Sequence, residues 1–556
     1  MRFLLAVLAC IAVAASMLAA RASQGTGLDP RPAVAASASA SAGAAPGVTV
    51  PAANGGASVP GASGSASAVP GSAAAGATGS AGTVPSTTSS GSPGSGHPNP
   101  GTSSPGKRAS GPPGSGPPSS GTTISVGASD QGAGSIGGQY IGLSFESNAS
   151  TGGVNSGRFD TVGNLAQLMR NLGTGVIRFG GNSVDRHYPG ATAAALAGLA
   201  RLARATGWSV LYSEDLAQYS AAAVRRDVSR VRAALGGYLA GLDCGNEPDL
   251  YQRIGDRTAS YTARQYIAQD AACLHEEATA APGVALAGPD TSGTSWLAAY
   301  GAQRDIRVQW VNQHYYPVGC AIEADMTDAQ LVRYLLSPGQ VTREAAVFTA
   351  TSDAAAALAA RPRISETDSA ACDSAPGIAN TYATALWAIA FMLTGAEDGM
   401  DGMNFHTGLN ITCASYSPLC GTPVRYQYAP QAEYYGLLFT HLLGAGRLLP
   451  VRVESGLNVT AFALSPFTGG GPHVMVENLS ATPTTAALQV GGNPRSASIL
   501  RLSAPSPLAT SGITIQGAQV AADGSFTPGA PGTVGCAAGT CSVAIAPYTA
   551  VIVTVG

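Results

Sequence analysis

The feature that most constrains the fold is a regular alternation, between residues 139 and 443, of short apolar runs with longer runs patterned as helices. The short runs are Gln139 to Phe145, Val176 to Phe179, Trp208 to Tyr212, Tyr238 to Asp243, Val284 to Ala287, Val308 to Asn312, Arg363 to Ser365 and Met400 to Phe405. Between them Leu165, Leu168, Met169 and Leu172 recur at helical spacing, and helices are predicted over roughly 191–206, 219–235, 258–276, 327–336, 342–359, 378–395 and 430–443. Strands followed by helices in this order predict an α/β fold, a (β/α)8 barrel. An open doubly wound sheet alternates in the same way, but no Gly-x-Gly-x-x-Gly turn opens a first helix here.

The polar residues gather where the predicted strands end. They are Ser144-Phe145-Glu146, Gly180-Gly181-Asn182-Ser183, Gly245-Asn246-Glu247-Pro248, Gly288-Pro289-Asp290, His314-Tyr315-Tyr316-Pro317, Glu366, and His406-Thr407-Gly408. Barrels of this kind carry their working residues at these ends. Pro248 fixes its own φ and is expected to push Glu247 towards an extended conformation. Asn246 beside it offers a side-chain donor and acceptor. An isolated Asn-Glu-Pro is ordinarily a solvated turn. A second strand-end carboxylate, Glu366, changes the reading, because around a closed barrel both would point into one cleft. Two carboxyls so placed suit glycoside hydrolysis, one donating a proton to the leaving oxygen and the other, ionised, attacking the sugar or activating water.

The two ends of the chain read differently from this middle. Met1-Arg2, the apolar run Phe3 to Ala20 and Ala20-Arg21-Ala22 have the pattern of a secretory signal peptide over 1–22. Residues 23–121 are almost all Ala, Gly, Ser, Pro and Thr, and such a segment cannot bury enough surface to offset its ordering entropy, so a disordered tether is expected. The barrel is assigned to 122–445, with Thr122 to Val126 as a strand able to join the following domain instead. From Arg447 the helical pattern stops. Thr460 to Leu464, His473 to Glu477, Thr485 to Val490, Ser498 to Leu502 and Thr549 to Val555 alternate between turns, and an all-β sandwich is predicted over 446–556.

Apart from Cys10 the chain has cysteines 244, 273, 320, 372, 413, 420, 536 and 541, an even set that favours disulfides in an exported chain. Cys413 with Cys420 and Cys536 with Cys541 are the natural local pairs, and the remaining four allow three pairings. None forms a C-x-x-C zinc pattern, so no metal is expected. A net charge of −3 without a basic block argues against nucleic acid as a partner. No cofactor and no stable protein partner is implied.

Three stretches resemble glycoside hydrolase family 79, the β-glucuronidases and heparanase, within the larger clan of retaining (β/α)8 glycosidases. They are Ile177-Arg178-Phe179-Gly180-Gly181-Asn182-Ser183, Gly245 to Leu250, and Ser365-Glu366-Thr367-Asp368-Ser369, with His314-Tyr315-Tyr316 as a fourth. The resemblance implies a secreted or cell-surface retaining β-glycosidase acting on a carbohydrate, with β-glucuronidase the first choice. It implies Glu247 as acid/base, Glu366 as nucleophile and Asn246 as partner of the sugar 2-hydroxyl. Tyr316 would hold the nucleophile, with Tyr315 next, and Asn182 joins the substrate contacts. The stretch Ala370-Ala371-Cys372 departs from the family by offering no aromatic after the nucleophile. Tyr416, Gly377 and Arg425 are then the candidates for the sugar carboxylate. A neutral β-glycoside as substrate, and a non-catalytic carbohydrate-binding barrel, stay open as alternatives.

Overall fold

A computed structural model describes residues 121–556 except 130–133, 152–157, 187, 306, 372–376, 410, 412 and 423–425. The expected signal segment and all but the last residue of the tether expected over 23–121 lie outside the described residues, as do Cys10, Cys372 and Arg425. Eight parallel strands close into a barrel. In chain order they are β1 (Ile141–Glu146), β2 (Val176–Gly180), β3 (Ser209–Glu214), β4 (Leu239–Cys244), β5 (Ala285–Thr291), β6 (Trp310–Tyr315), β7 (Arg361–Thr367) and β8 (Met403–His406). β8 pairs with β1 to complete the ring. Helices such as Ala193–Thr206, Ala221–Leu235, Ala263–Ala280 and Pro338–Ala357 alternate with the strands.

All eight strands reach further towards the mouth than their apolar runs suggest, β5 furthest, through Thr291. β6 runs on through His314 and Tyr315, β7 through Glu366 and β8 through His406. The hydrogen-bonded ladder continues where the side chains have turned polar, because the barrel interior is apolar only at its floor. There Val176, Leu211, Ala287 and Trp310 form a small separate cluster. Above it the inward positions carry Ser144, Arg178, Asp243, Asn312 and Ser365, all fully buried. Polar groups at that depth must find partners among themselves, which fixes their geometry.

The strand Thr122–Val126 pairs antiparallel with Val451–Glu454 and parallel with Thr484–Gln489, so it belongs to the β-domain sheet. That sheet has 12 strands and doubles back on itself. Ile124, Leu488 and Val543 from one half meet Val474, Val476, Val551 and Val553 from the other in one apolar core. The opposite faces of the same strands, at Met475, Leu502 and Ile552, merge with the main barrel core. Helix Tyr382–Glu397 lies at this junction, which is why it is buried from Tyr382 to Ala396 and has no polar face. Its first residue is pinned to the β-domain twice, Tyr382 N donating to Ala509 O at 2.8 Å and its hydroxyl to Leu502 O at 2.8 Å. Two hairpins, Leu419–Thr422 with Gln427–Pro430 and Gly532–Ala537 with Thr540–Ile545, lie outside the predicted strands. The strands of the first are four residues long; in the second, Cys541, Val543 and Ile545 do alternate inward along Thr540–Ile545.

Disulfides join Cys244 to Cys273, Cys413 to Cys420 and Cys536 to Cys541. The first ties the end of β4 to helix Ala263–Ala280, two residues ahead of Asn246. Cys320 is disulfide-bonded as well.

Candidate active site

β4 ends in a turn that a side chain at position 245 would break. Gly245 has φ +81°, and a Cβ there would lie 2.5 Å from the Tyr251 hydroxyl. Asn246 N then donates to Asp185 Oδ2 at 2.8 Å, an oxygen that also accepts from the Tyr251 hydroxyl at 2.7 Å. Glu247 does not take the extended conformation expected before a proline. It sits at φ 48°, ψ 55°, in the left-handed region. Two backbone hydrogen bonds impose this: Glu247 N donates to Asp290 O at 2.9 Å, and Leu250 N donates to Glu247 O at 2.8 Å as Pro248 opens a short helical turn. A non-glycine residue held there costs on the order of 1–3 kcal/mol, and the anchors on both sides hold the Glu247 side chain over the cleft.

Glu366 reaches the same cleft through an irregularity in β7. The pairing with β6 shifts between Gln313 and His314, so that Gln313 faces Ile364 and His314 faces Glu366. Two consecutive side chains, Ser365 and Glu366, are thereby both turned inward, the re-aiming that a bulge produces. The pairing of β5 with β6 shifts in the same way between Pro289 and Thr291, leaving Asp290 unpaired in the ladder and pointing inward.

Donors surround the Glu366 carboxylate. Arg178 Nη1 donates to Oε2 at 2.7 Å and the Tyr316 hydroxyl to Oε1 at 2.8 Å. His406 Nδ1 lies 3.5 Å from Oε2 as an ion pair, off the line of a hydrogen bond. Burial alone would raise the carboxyl, but the charges of His406, His314 and Arg178 outweigh it and hold Glu366 well below the usual carboxylate range. Burial pushes the His406 ring down while Glu366 pushes it up further, to about 9. Arg178 is itself fixed from both sides, its Nη2 donating to Asn246 Oδ1 at 3.0 Å and to Asp290 Oδ2 at 3.2 Å.

Among the described residues Glu247 has one side-chain neighbour of this kind, His314, whose Nδ1 lies 3.4 Å from Oε1. Carboxylate oxygens of Glu247 and Glu366 and a ring nitrogen of His314 all lie within 4.8 Å of one another. A metal ion fits such a spacing, but Arg178 and His406 already direct their charge at Glu366. The other close group, Cys244, Cys273 and Glu277, has its two sulfurs joined to each other and offers no thiolate.

Of the residues expected at the site, Glu247, Glu366, Asn246 and Tyr316 come together as described. Tyr416 joins them, its ring edge-on to Tyr316 at 6.3 Å and 5.6 Å from the His406 ring. Tyr315 does not. It is the outward neighbour of His314 on β6, stacks on Phe391 at 5.9 Å and accepts from Gln340 Nε2 at 2.7 Å. Asn182 is exposed at the mouth, and its backbone N–H donates to Glu146 Oε1 at 3.3 Å. Gly377 lies against Asp328, whose Oδ1 would be 3.2 Å from a Cβ there. Among the described residues no hydrogen bond or ion pair links Gly377 to the carboxylates. Sequence reasoning left Arg178, Asp290 and His406 without roles. Arg178 was the legible one, a charged residue inside Val-Ile-Arg-Phe on a strand that a closed barrel buries.

No protein-family profile matches the chain. Among curated proteins it is similar to a β-glucuronidase of Aspergillus niger, 25% identical over 225 residues, which are 37% of this chain and 40% of that protein. It is also similar to a β-glucuronidase of Neurospora crassa, 26% identical over 227 residues, with the same shares of 37% and 40%. The chain thus matches about 40% of the length of these relatives. Among solved structures a 4-O-α-L-rhamnosyl-β-D-glucuronidase from Fusarium oxysporum superposes with a TM-score of 0.62 at 18% identity, covering 78% of this chain and 100% of that one. A family 51 α-L-arabinofuranosidase from Bifidobacterium longum gives 0.61 at 14% identity, covering 79% and 100%. At these identities the likeness is one of fold, a barrel with a β-domain.

Proposed function

We propose that this chain is a secreted retaining β-glycosidase whose preferred sugar is β-linked glucuronic acid. The observation that carries the reading is the pair of carboxylates at the ends of β4 and β7, with oxygens of both inside a cluster 4.8 Å across. Retaining glycosidases place the two groups about 5–5.5 Å apart, whereas inverting enzymes need several ångströms more to admit a water molecule.

The roles follow from the surroundings. Glu366, kept ionised by Arg178, Tyr316 and the two imidazoles, attacks the anomeric carbon. As the C1–O bond breaks, Glu247 gives its proton to the leaving oxygen. Water then attacks the glycosyl ester, its proton passes to Glu247, and Glu366 departs as carboxylate. Arg178 keeps Asn246 in place by its second nitrogen, so one guanidinium sets the nucleophile and the 2-hydroxyl contact together. Glucuronate is favoured over a neutral sugar by the motif resemblance and by the activity that the curated relatives' names carry. His406 and Tyr416 beside Glu366 are groups able to meet a sugar carboxylate. The expected signal segment and the disulfides Cys244–Cys273, Cys413–Cys420 and Cys536–Cys541 support export.

The test is turnover by the purified chain on aryl β-glucuronide, β-glucoside and β-xyloside. Preference for the glucuronide is expected. Preference for either neutral sugar would leave the mechanism and replace the substrate, and failure on all three would return the barrel to carbohydrate binding without catalysis.

A further inference from the structure

A proton donor must carry its proton on the oxygen that faces the substrate, and the side chains behind Glu247 bear on which oxygen that is. His314 is fully enclosed, with Nδ1 at 3.4 Å from Glu247 Oε1 and Nε2 at 3.3 Å from Asp290 Oδ1. Asp290 in turn takes Arg178 Nη2 on Oδ2 and the Ser365 hydroxyl on Oδ1, and its backbone carbonyl accepts Glu247 N. Asp243, at the last inward position of β4, lies close enough to Asp290 for the two carboxyls to interact. Both acids are buried, and Asp243 Oδ1 has no donor among the described residues. Two buried carboxyls in contact repel unless they share a proton, and a proton on Asp243 supplies the donor that the geometry lacks.

Charges on the packed elements place that proton on Asp243 and the negative charge on Asp290. Asp243 is faced by Arg178 from β2, Glu214 from β3, Asp290 from β5, Glu277 from helix Ala263–Ala280 and Tyr300 from helix Leu297–Ala302. Asp290 is faced by Arg178, Asp243, Asp270, His314, Tyr266 and Tyr300. Arg178 and His314 both approach Asp290 directly, whereas Asp243 is met by uncharged donors, Asn312 Nδ2 at 3.4 Å and the Ser213 hydroxyl, with the charge of Arg178 further off.

We propose that Asp290 is a positioning residue of the proton-donating arm: as the anion of an Asp243–Asp290 pair sharing one proton, it keeps His314 protonated on both nitrogens, so that Nδ1–H donates to Glu247 Oε1. The proton of Glu247 is then confined to Oε2, the oxygen left to face the leaving group. A neutral His314 with its hydrogen on Nε2 would instead accept at Nδ1 and hold the Glu247 proton on Oε1, turned away from the substrate. The protons on Asp243 and His314 stay in place during turnover. Only the Oε2–H bond of Glu247 breaks, its proton passing to the glycosidic oxygen and being replaced by one from the attacking water. This inference rests on the glycosidase reading of Glu247.

Two isosteric variants and one spectroscopic readout test it. In Asp243→Asn the amide still donates to Asp290, whereas Asp290→Asn removes the anion. With 15N-labelled imidazole, NMR at neutral pH should show His314 as imidazolium in the parent and in Asp243→Asn, and as neutral imidazole in Asp290→Asn. In steady-state kinetics, kcat for a poor leaving group should fall about 100-fold or more in Asp290→Asn. An activated aryl glycoside should lose less and KM should move little. Asp243→Asn should stay within about tenfold of the parent. A neutral His314 in the parent overturns the proposal, as do equal losses in the two variants. If Asp290→Asn fails to fold, the parent and Asp243→Asn spectra still decide. The spectra need no substrate, so a parent that turns over no glycoside would sink the proposed function and leave this test standing.

Discussion

The ends of β4 and β7 each present a glutamate to the same cleft, and they are built in opposite ways. Glu366 lies within β7, at the bulge opposite β6, and is gripped through its side chain by Arg178 and Tyr316, with His406 alongside. Glu247 lies beyond its strand and is gripped through its backbone, at Asp290 O and Leu250 N, in a left-handed conformation. Its side chain keeps the larger exposure, 16% against 8% for Glu366, and one imidazole as neighbour. A nucleophile has to be charged and aimed, so its partners belong on the carboxylate. A proton donor has to gain and lose charge within one cycle, so its position is better fixed by the main chain.

The sharpest way to break this comparison is to remove each carboxylate. Glu366→Ala should lower kcat on the order of 10⁵-fold for good and poor leaving groups alike, because no step survives without the nucleophile. Glu247→Ala should cost about 10²–10⁴-fold on an alkyl glycoside and less in the first step on an activated aryl glycoside. Azide should restore turnover of Glu247→Ala and give the β-glycosyl azide, read by NMR of the product. The α-azide from that variant would exchange the two roles.

Tyr316→Phe should have a smaller effect, about 10- to 100-fold in kcat, the worth of one hydrogen bond to a charged group. An unchanged kcat would show that Arg178 alone holds the nucleophile.

The smallest effect is on stability. Burial pushes Asp270 and Glu477 up to about 8 and Glu344 and Asp368 up to about 7. Between the ordinary carboxylate range and those values the folded chain holds protons that the unfolded chain has released, so stability falls as pH rises through that window. His314 and His406, raised to about 10 and about 9, act in the same direction: their contribution is full below the ordinary imidazole value and is lost as pH rises through the raised ones. Glu366 and Asp290, held low, weaken the fold only under stronger acid. The unfolding midpoint should therefore be higher near pH 5.5 than near pH 8.5, by on the order of 5 °C in a calorimetric scan. A higher midpoint at the alkaline pH would mean that these acids are paired with cations or water and not buried neutral.

The sequence made the two glutamates legible because strand ends of a barrel are marked by the change from apolar to polar residues. It did not reveal that the strands continue past that change. The resemblance names Tyr315 beside Tyr316, and a strand stopping at Asn312 gives no parity to separate them, whereas β6 running to Tyr315 turns His314 in and Tyr315 out. The left-handed Glu247 was hidden because Pro248 speaks for an extended neighbour, and the carbonyl of Asp290 that overrides it is 43 residues away in the chain, at a step where β5 shifts register. Asp290 and Ser365 owe their inward aim to such shifts, which leave no mark in hydrophobic periodicity.

The most direct test is to trap the covalent intermediate. The chain is incubated with a 2-deoxy-2-fluoro β-glucuronide carrying an activated leaving group, then digested and mapped by mass spectrometry. The expected result is one sugar ester on the peptide containing Glu366, formed in the parent and absent in Glu366→Gln. A label on Glu247, or turnover of an ordinary β-glucuronide that releases the α-anomer first, would contradict it.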